Sequence, residues 1–186
     1  MADATALAAR LRDATKAAHR RLDHHPLLAA LLRPTLTVQA YGQALAALHG
    51  AHGALEAALD GFAPAALFPR RLPDLQSDLS ALGLDPCPLT LQPPQTAGDD
   101  DRLGMMYVIE GSNLGGVAIA RQLASTLPAG TPRAFFGGAE GAPRWQRFWT
   151  FAQAHIEPDG FERATLAARE AFEFYRLHLD HCLGGR

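Results

Sequence analysis

Two stretches of this chain carry residue types that can do chemistry at a spacing that lets them act together. In LRDATKAAHRRLD, residues 11–23, His19 stands about 80° round a helix from the apolar Leu11. Arg12 and Lys16 share its flank, two and one turns earlier. An imidazole at such an edge can ligate a metal, and cations leading outward from it can meet acidic groups. The same pattern also suits a packing histidine on an ordinary surface helix. In EGSNLGG, residues 110–116, Gly111, Gly115 and Gly116 lie within an apolar run that has no proline nearby. Each costs roughly 1 kcal/mol against alanine in a helix interior, so something there needs bare backbone. Gly111 and Gly115 are one turn apart and share a face. Either another helix packs closely, or a flat rigid ligand lies against the helix with Ser112 and Asn113 supplying polar groups beside it.

Other chemistry-bearing residues read more simply. HGAH, with His49 and His52, falls on the stripe of a core helix and has no second ligand set. HLDH, residues 178–181, is the nearest approach to a metal motif and is expected at a solvated end. Asp99, Asp100 and Asp101 head the glycine-bearing helix and fit a cap and helix-dipole role. Phe172 and Tyr175 share an inner stripe and could wall a pocket. Cys87 and Cys182 are too few for a disulfide framework and lack CxxC spacing, which agrees with a reducing compartment and argues against a structural zinc site. GxSxG, HExxH, Walker A and paired Glu-x-x-His patterns are absent, which removes the usual hydrolase, nucleotide and di-iron signatures.

The elements that must position these residues are helices. Leu7, Leu11, Ala14, Ala18 and Leu22 mark an amphipathic helix over 3–24. A short piece follows and ends at Pro34, and Thr35 or Thr37 caps a long core helix striped by Val38, Tyr41, Leu45, Leu48, His52, Leu55 and Leu59. Prolines break 61–73, a modest helix covers 74–82, and 85–97 is an irregular connection. The glycine-bearing helix, a second loop over 128–143 and helices over 144–154 and 159–183 complete the chain. No β-hairpin or alternating strand is present, so the expected fold is all-α, one domain over 1–186. At 48% apolar residues, 186 residues can bury a sizeable core. A net charge of −2 gives no electrostatic case for nucleic acid, and neither a signal peptide nor an uncharged 18-residue apolar run appears, so no membrane role and a cytoplasmic location are expected.

An edge histidine, a glycine-bearing buried helix and outward-leading cations suit a planar anionic ligand with an axial position to fill, and heme meets that description. The residues also resemble a known family. LRDATKAAHRRLD is similar to the first-helix signature of the heme oxygenases, and EGSNLGG resembles their distal-helix motif, in the same order. The resemblance implies oxidative opening of heme to biliverdin with release of CO and ferrous iron, heme being substrate and cofactor at once. It assigns His19 as axial iron ligand and sets Gly111, Ser112, Gly115 and Gly116 against the distal face. Arg12 and Lys16 match positions that meet the propionates, with Arg144 and Arg147 as further candidates from the other side. Many relatives carry an aspartate where this chain has Ser112; the Gly-Ser-x-Leu-Gly-Gly form resembles heme oxygenases that accompany bacterial phytochromes. Water held by backbone carbonyls and by Ser112 or Asn113 is expected to substitute as the proton route. The implied partners are heme, O2, an electron donor such as a ferredoxin or flavoprotein reductase, and a bacteriophytochrome as biliverdin acceptor. The alternative is a heme carrier or sensor without turnover.

Overall fold

The computed structural model describes residues 4–138, 140–156 and 158–185, with only the backbone described at 4–6, 63 and 158. Among the described residues the chain is all-α. Eight helices follow in order: α1 (Ala4–Asp23), α2 (Pro26–Ala30), α3 (Val38–Ala58), α4 (Leu72–Leu82), α5 (Asp99–Thr126), α6 (Ala134–Gly137), α7 (Ala142–His155) and α8 (Phe161–Gly184), with two short 3-10 turns between them. Asp3, where the sequence pattern starts the first helix, lies outside the described residues. The four-residue α6 falls inside a stretch that reads as loop.

The termini of the long helices follow their local chemistry. Thr37 caps α3 by accepting from the Ala40 amide at 3.1 Å. Asp101, three residues inside α5, accepts from the amides of Ala97 and Gly98 at 2.7 and 3.1 Å and pairs with Arg163 of α8. Of the acidic triple, Asp101 is therefore the cap, while Asp99 pairs with Arg102.

The central pillar is α8, whose Ala164, Ala168, Phe172, Tyr175, Leu179 and Cys182 are buried. Each large apolar side chain hidden there contributes about 2 kcal/mol. Along its length α8 meets α1 through Arg10 on Phe161, Arg169 on Ala14 and His19 on Phe172, so the two run parallel. It meets α5 through Ala164 against Gly104 and Phe172 against Tyr107, again in parallel. On its remaining side α8 meets α3 in the opposite sense, His52 reaching Tyr175 and Gly50 facing His178. Among the described helices α5 is long and apolar enough to cross a membrane, but here more than half of its most apolar stretch is buried in the protein as core.

The two cysteines, from which no disulfide framework was expected, form one bridge between the 84–98 connection and the end of α8, 95 positions apart in sequence. Their separation along the chain hides a Cα–Cα distance of 6.0 Å.

Candidate functional site

Parallel packing on α8 points α1 and α5 the same way and brings them together at one contact. They touch where Tyr107 Oη stands 3.3 Å from Thr15 Oγ1, whose own proton goes to the Leu11 carbonyl at 2.8 Å. Burial pushes the Tyr107 phenol above its ordinary value, so it remains a donor to Thr15. One turn further along each helix come His19 and Gly111. That contact therefore brings the two sequence motifs to the same height on adjoining helices.

His19 is not turned into the core: its side chain is 53% exposed, with the ring edge against Phe172 at a centroid distance of 5.3 Å. Its Nδ1 lies 3.1 Å from the Asp23 carboxylate, one turn on. A carboxylate behind one ring nitrogen fixes tautomer and orientation and leaves the Nε2 lone pair to a ligand, as in metal-binding histidines. Among the described residues Nε2 enters no hydrogen bond. Arg12 and Lys16 are exposed on the same flank and join none of the ion pairs of the described residues.

The glycines of α5 do different jobs. Gly104, which sequence reasoning passed over, is where α8 comes closest: a methyl there would overlap the Ala164 carbonyl and touch Ala167 at 3.0 Å. Among the described residues Gly111 has only the Trp145 ring opposite, 3.7 Å from where a methyl would stand, and Gly115 has nothing within 4 Å. Ser112, Leu114, Gly115 and Ala118 are exposed or half-buried, Leu114 exposed to 41%. The helix face that is closed at Gly104 and Tyr107 is thus met only by the Trp145 ring of α7 at Gly111 and is open at Gly115 among the described residues. Between His19 and Gly111 runs a chain of rings, Phe172, Tyr107, Trp145, Phe148 and Trp149, with neighbouring centroids 5.2–6.4 Å apart.

Not every expected residue belongs here. Ser112 Oγ donates to the Ile109 carbonyl at 2.6 Å and is exposed beside the open face, with its lone pairs free to accept. Asn113 donates to the same carbonyl at 3.2 Å but is buried, about 200° round the helix from Gly111. Gly116 is also buried, about 140° round from Gly111. Tyr175 faces away from His19, its hydroxyl 2.7 Å from His52 Nδ1 on the α3 side; it shares a stripe with Phe172 but not a neighbour. Arg144 is no rim cation: it is 2% exposed and grips Glu110 through two bonds of 2.5 and 2.8 Å, adding the Pro69 carbonyl at 2.9 Å. Arg147 pairs with Glu140 at the surface.

His52 is a core histidine, as its stripe position suggests, but a carboxylate does stand beside it. Glu56 accepts from His52 Nε2 at 3.1 Å and from the Arg71 and Leu72 amides. Burial alone would raise the Glu56 carboxyl; the His52 bond and charge and the two amides outweigh it and hold it below its ordinary value. The residues missed at the open face are Asp23, Thr15 and Trp145. Only Asp23 had a signal, its four-residue spacing from His19. A concavity of about 900 Å³ lies on the opposite flank of α1 between Ala14, Ala17, Arg21 and α8, and His19 does not line it.

Known proteins bear on this arrangement. The family model for heme oxygenase matches residues 5–83. A heme oxygenase from Xanthomonas campestris pv. campestris is 35% identical over 117 residues, 61% of this chain and 67% of that protein. Among solved structures, the NO- and CO-bound heme oxygenase of Neisseria meningitidis superposes with a TM-score of 0.71 at 25% identity, covering 96% of this chain and 92% of the other. Heme oxygenase-1 of the cyanobacterium Synechocystis, in complex with heme, superposes at 0.70 with 17% identity and the same coverage.

Proposed function

The chain belongs to the heme oxygenase family and is an enzyme that opens heme oxidatively, and from that premise we propose that His19 is its iron ligand and the open face of α5 its distal wall. The observation that carries this reading is the pairing of an Asp23-held imidazole with the glycine face of α5, where Gly111 stands level with His19 and the unopposed Gly115 follows one turn on. A flat ring system needs a donor on one side and backbone without side chains on the other, and these residues fit it. When bound, heme supplies the oxygen chemistry and is itself consumed, giving biliverdin, CO and ferrous iron.

The chain's own residues have separable tasks. Asp23 holds the His19 Nδ1 proton, which keeps Nε2 a neutral lone-pair donor. Phe172 backs the imidazole edge-on and limits its rotation. Gly111 and Gly115 let the ring plane approach helical backbone, where any larger residue would stand it off. Arg12 and Lys16 lead from His19 to solvent and meet the two carboxylates of the substrate, each exposed pair contributing about 0.5 kcal/mol. Ser112 stands in for the distal carboxylate of many relatives: its proton goes to Ile109, and its remaining lone pairs hold the water that delivers protons. Asn113, Gly116 and Tyr175 support the helices behind the site.

The same proposal treats residues 1–186 as one domain, in keeping with the nearly full-length superpositions. It places the chain in a bacterial cytoplasm, as the bacterial relatives suggest. There a ferredoxin or flavoprotein reductase supplies electrons, and a bacteriophytochrome is a natural acceptor for the biliverdin.

A heme titration of wild type beside His19→Ala, followed by ascorbate under air, tests the reading. A stoichiometric Soret band that decays to a biliverdin spectrum, with affinity and spectrum altered in the variant, supports it. A band that survives the reductant marks a carrier or sensor instead. An identical band and turnover in His19→Ala would remove His19 from the iron.

A further inference from the structure

His178 is the most thoroughly buried imidazole of the described residues, at 0% exposure, where a solvated chain end was expected. It sits one turn before Cys182 on the α3 side of α8, about 120° round that helix from Phe172. Its Nε2 is 3.6 Å from Cys182 Sγ, and the ligand atoms of Cys87, His178 and Cys182 all lie within 4.8 Å of one another. Among the described residues Nδ1 is buried with no hydrogen-bond partner, and Nε2 has only sulfur, a weak acceptor. A buried ring satisfied this poorly is costly unless it has another use.

The surroundings keep room for such a use. Gly50 of α3 faces the ring, and a methyl there would stand 2.8 Å from Nε2 and 3.2 Å from Leu89 Cβ. Cys87 is held against α3 by its amide, which donates to the Ala46 carbonyl at 2.9 Å. All three groups are therefore positioned by backbone that does not depend on the disulfide.

We propose that Cys87, His178 Nε2 and Cys182 form a binding site for one zinc-class ion when the cysteine pair is reduced, the disulfide being the oxidised, metal-free form. Thiolate and imidazole bonds of about 2.3 and 2.05 Å at a tetrahedral angle put nitrogen and sulfur about 3.6 Å apart, the spacing already present between His178 and Cys182. The two sulfurs must part to about 3.8 Å, which rotation of the Cys87 side chain about its Cα–Cβ bond supplies while its amide stays on the Ala46 carbonyl. Reduction takes two electrons and two protons from a dithiol, which leaves as its own disulfide. The ion then displaces both thiol protons, and water fills the fourth position. Two thiolates and an imidazole are soft ligands that favour zinc over calcium or magnesium.

The test uses the full chain without heme, so that its outcome is separate from that of the oxygenase reading. Protein reduced by a dithiol and freed of reductant and metal under anaerobic conditions is titrated with zinc against a chromogenic chelator, then with cobalt as a spectroscopic substitute. Wild type should bind one zinc per chain and give a thiolate-to-cobalt charge-transfer band; the oxidised chain should bind none. Cys87→Ser, at a half-buried loop position, should bind at least about a hundredfold more weakly while keeping its helical circular dichroism. His178→Gln should lose affinity as well. Zinc binding by reduced wild type that is no tighter than by Cys87→Ser or by the oxidised chain would overturn the proposal.

Discussion

Gly104 and Gly115 stand on one helix and, at about 20° apart round its axis, on one face. They have opposite surroundings. At Gly104 the α8 backbone lies so close that no side chain fits, whereas at Gly115 there is nothing to meet. The first glycine is explained by packing alone. The second carries the same helix penalty with no packing return among the described residues, which is what the proposed ligand would account for. A helix that is core at one end and wall at the other explains how a long apolar segment can belong to both the fold and the site.

The closed end can be broken most severely at its buried ion pair. Glu110→Ala strands the Arg144 guanidinium at 2% exposure and should cost about 3–5 kcal/mol in urea unfolding; a cost below about 1 kcal/mol would mean the pair is not shut away from water. Gly104→Ala should lose about 2 kcal/mol, because displacing α8 outweighs a propensity gain of about 1 kcal/mol. Gly115→Ala sharpens the contrast by reversing the sign: it should gain up to about 1 kcal/mol in thermal unfolding while slowing biliverdin formation. Equal effects of the two alanines on stability would erase the distinction drawn between the halves.

A smaller effect comes from Glu56, which is buried on the α3 side of the bundle against His52 and Arg71. Its carboxyl is held below the ordinary value of about 4.3. Its contribution to stability is therefore complete above that ordinary value and is lost as pH falls through the lowered folded one. Glu56→Gln should flatten the acid limb of a stability-against-pH profile without altering heme turnover at neutral pH, as measured by unfolding at a series of pH values.

Single-helix periodicity made much of the fold legible. The α1 stripe, the Thr37 cap and the Asp101 box depend on residues within one or two turns of one another, and each was readable. What was not readable depends on which helix comes opposite. Gly104 and Gly115 look alike until α8 is present beside one of them. Phe172 and Tyr175 share a stripe wide enough to face two neighbours, so one meets His19 and the other His52. Arg144 resembles a rim cation until Glu110 is found beside it, and Cys87 and Cys182 are joined only by tertiary packing. Of the proposed site, spacing marked His19 and the glycine face only as candidates that packing could equally explain, and the family resemblance supplied their roles. The Asp23 contact was available in the same pattern and was not used.

The ring chain between His19 and Gly111 contains Trp145 and Trp149, the only two tryptophans in the sequence. The intrinsic tryptophan emission of this protein therefore comes from the mouth of the proposed cleft and from nowhere else. Quenching by heme, or a spectral shift when Trp145 leaves Gly111, would report on that region directly. Unfolding followed by emission would record the loosening of α7 against α5, while far-ultraviolet dichroism records the whole bundle. If the open face yields before the closed one, the two signals will separate without any label being added.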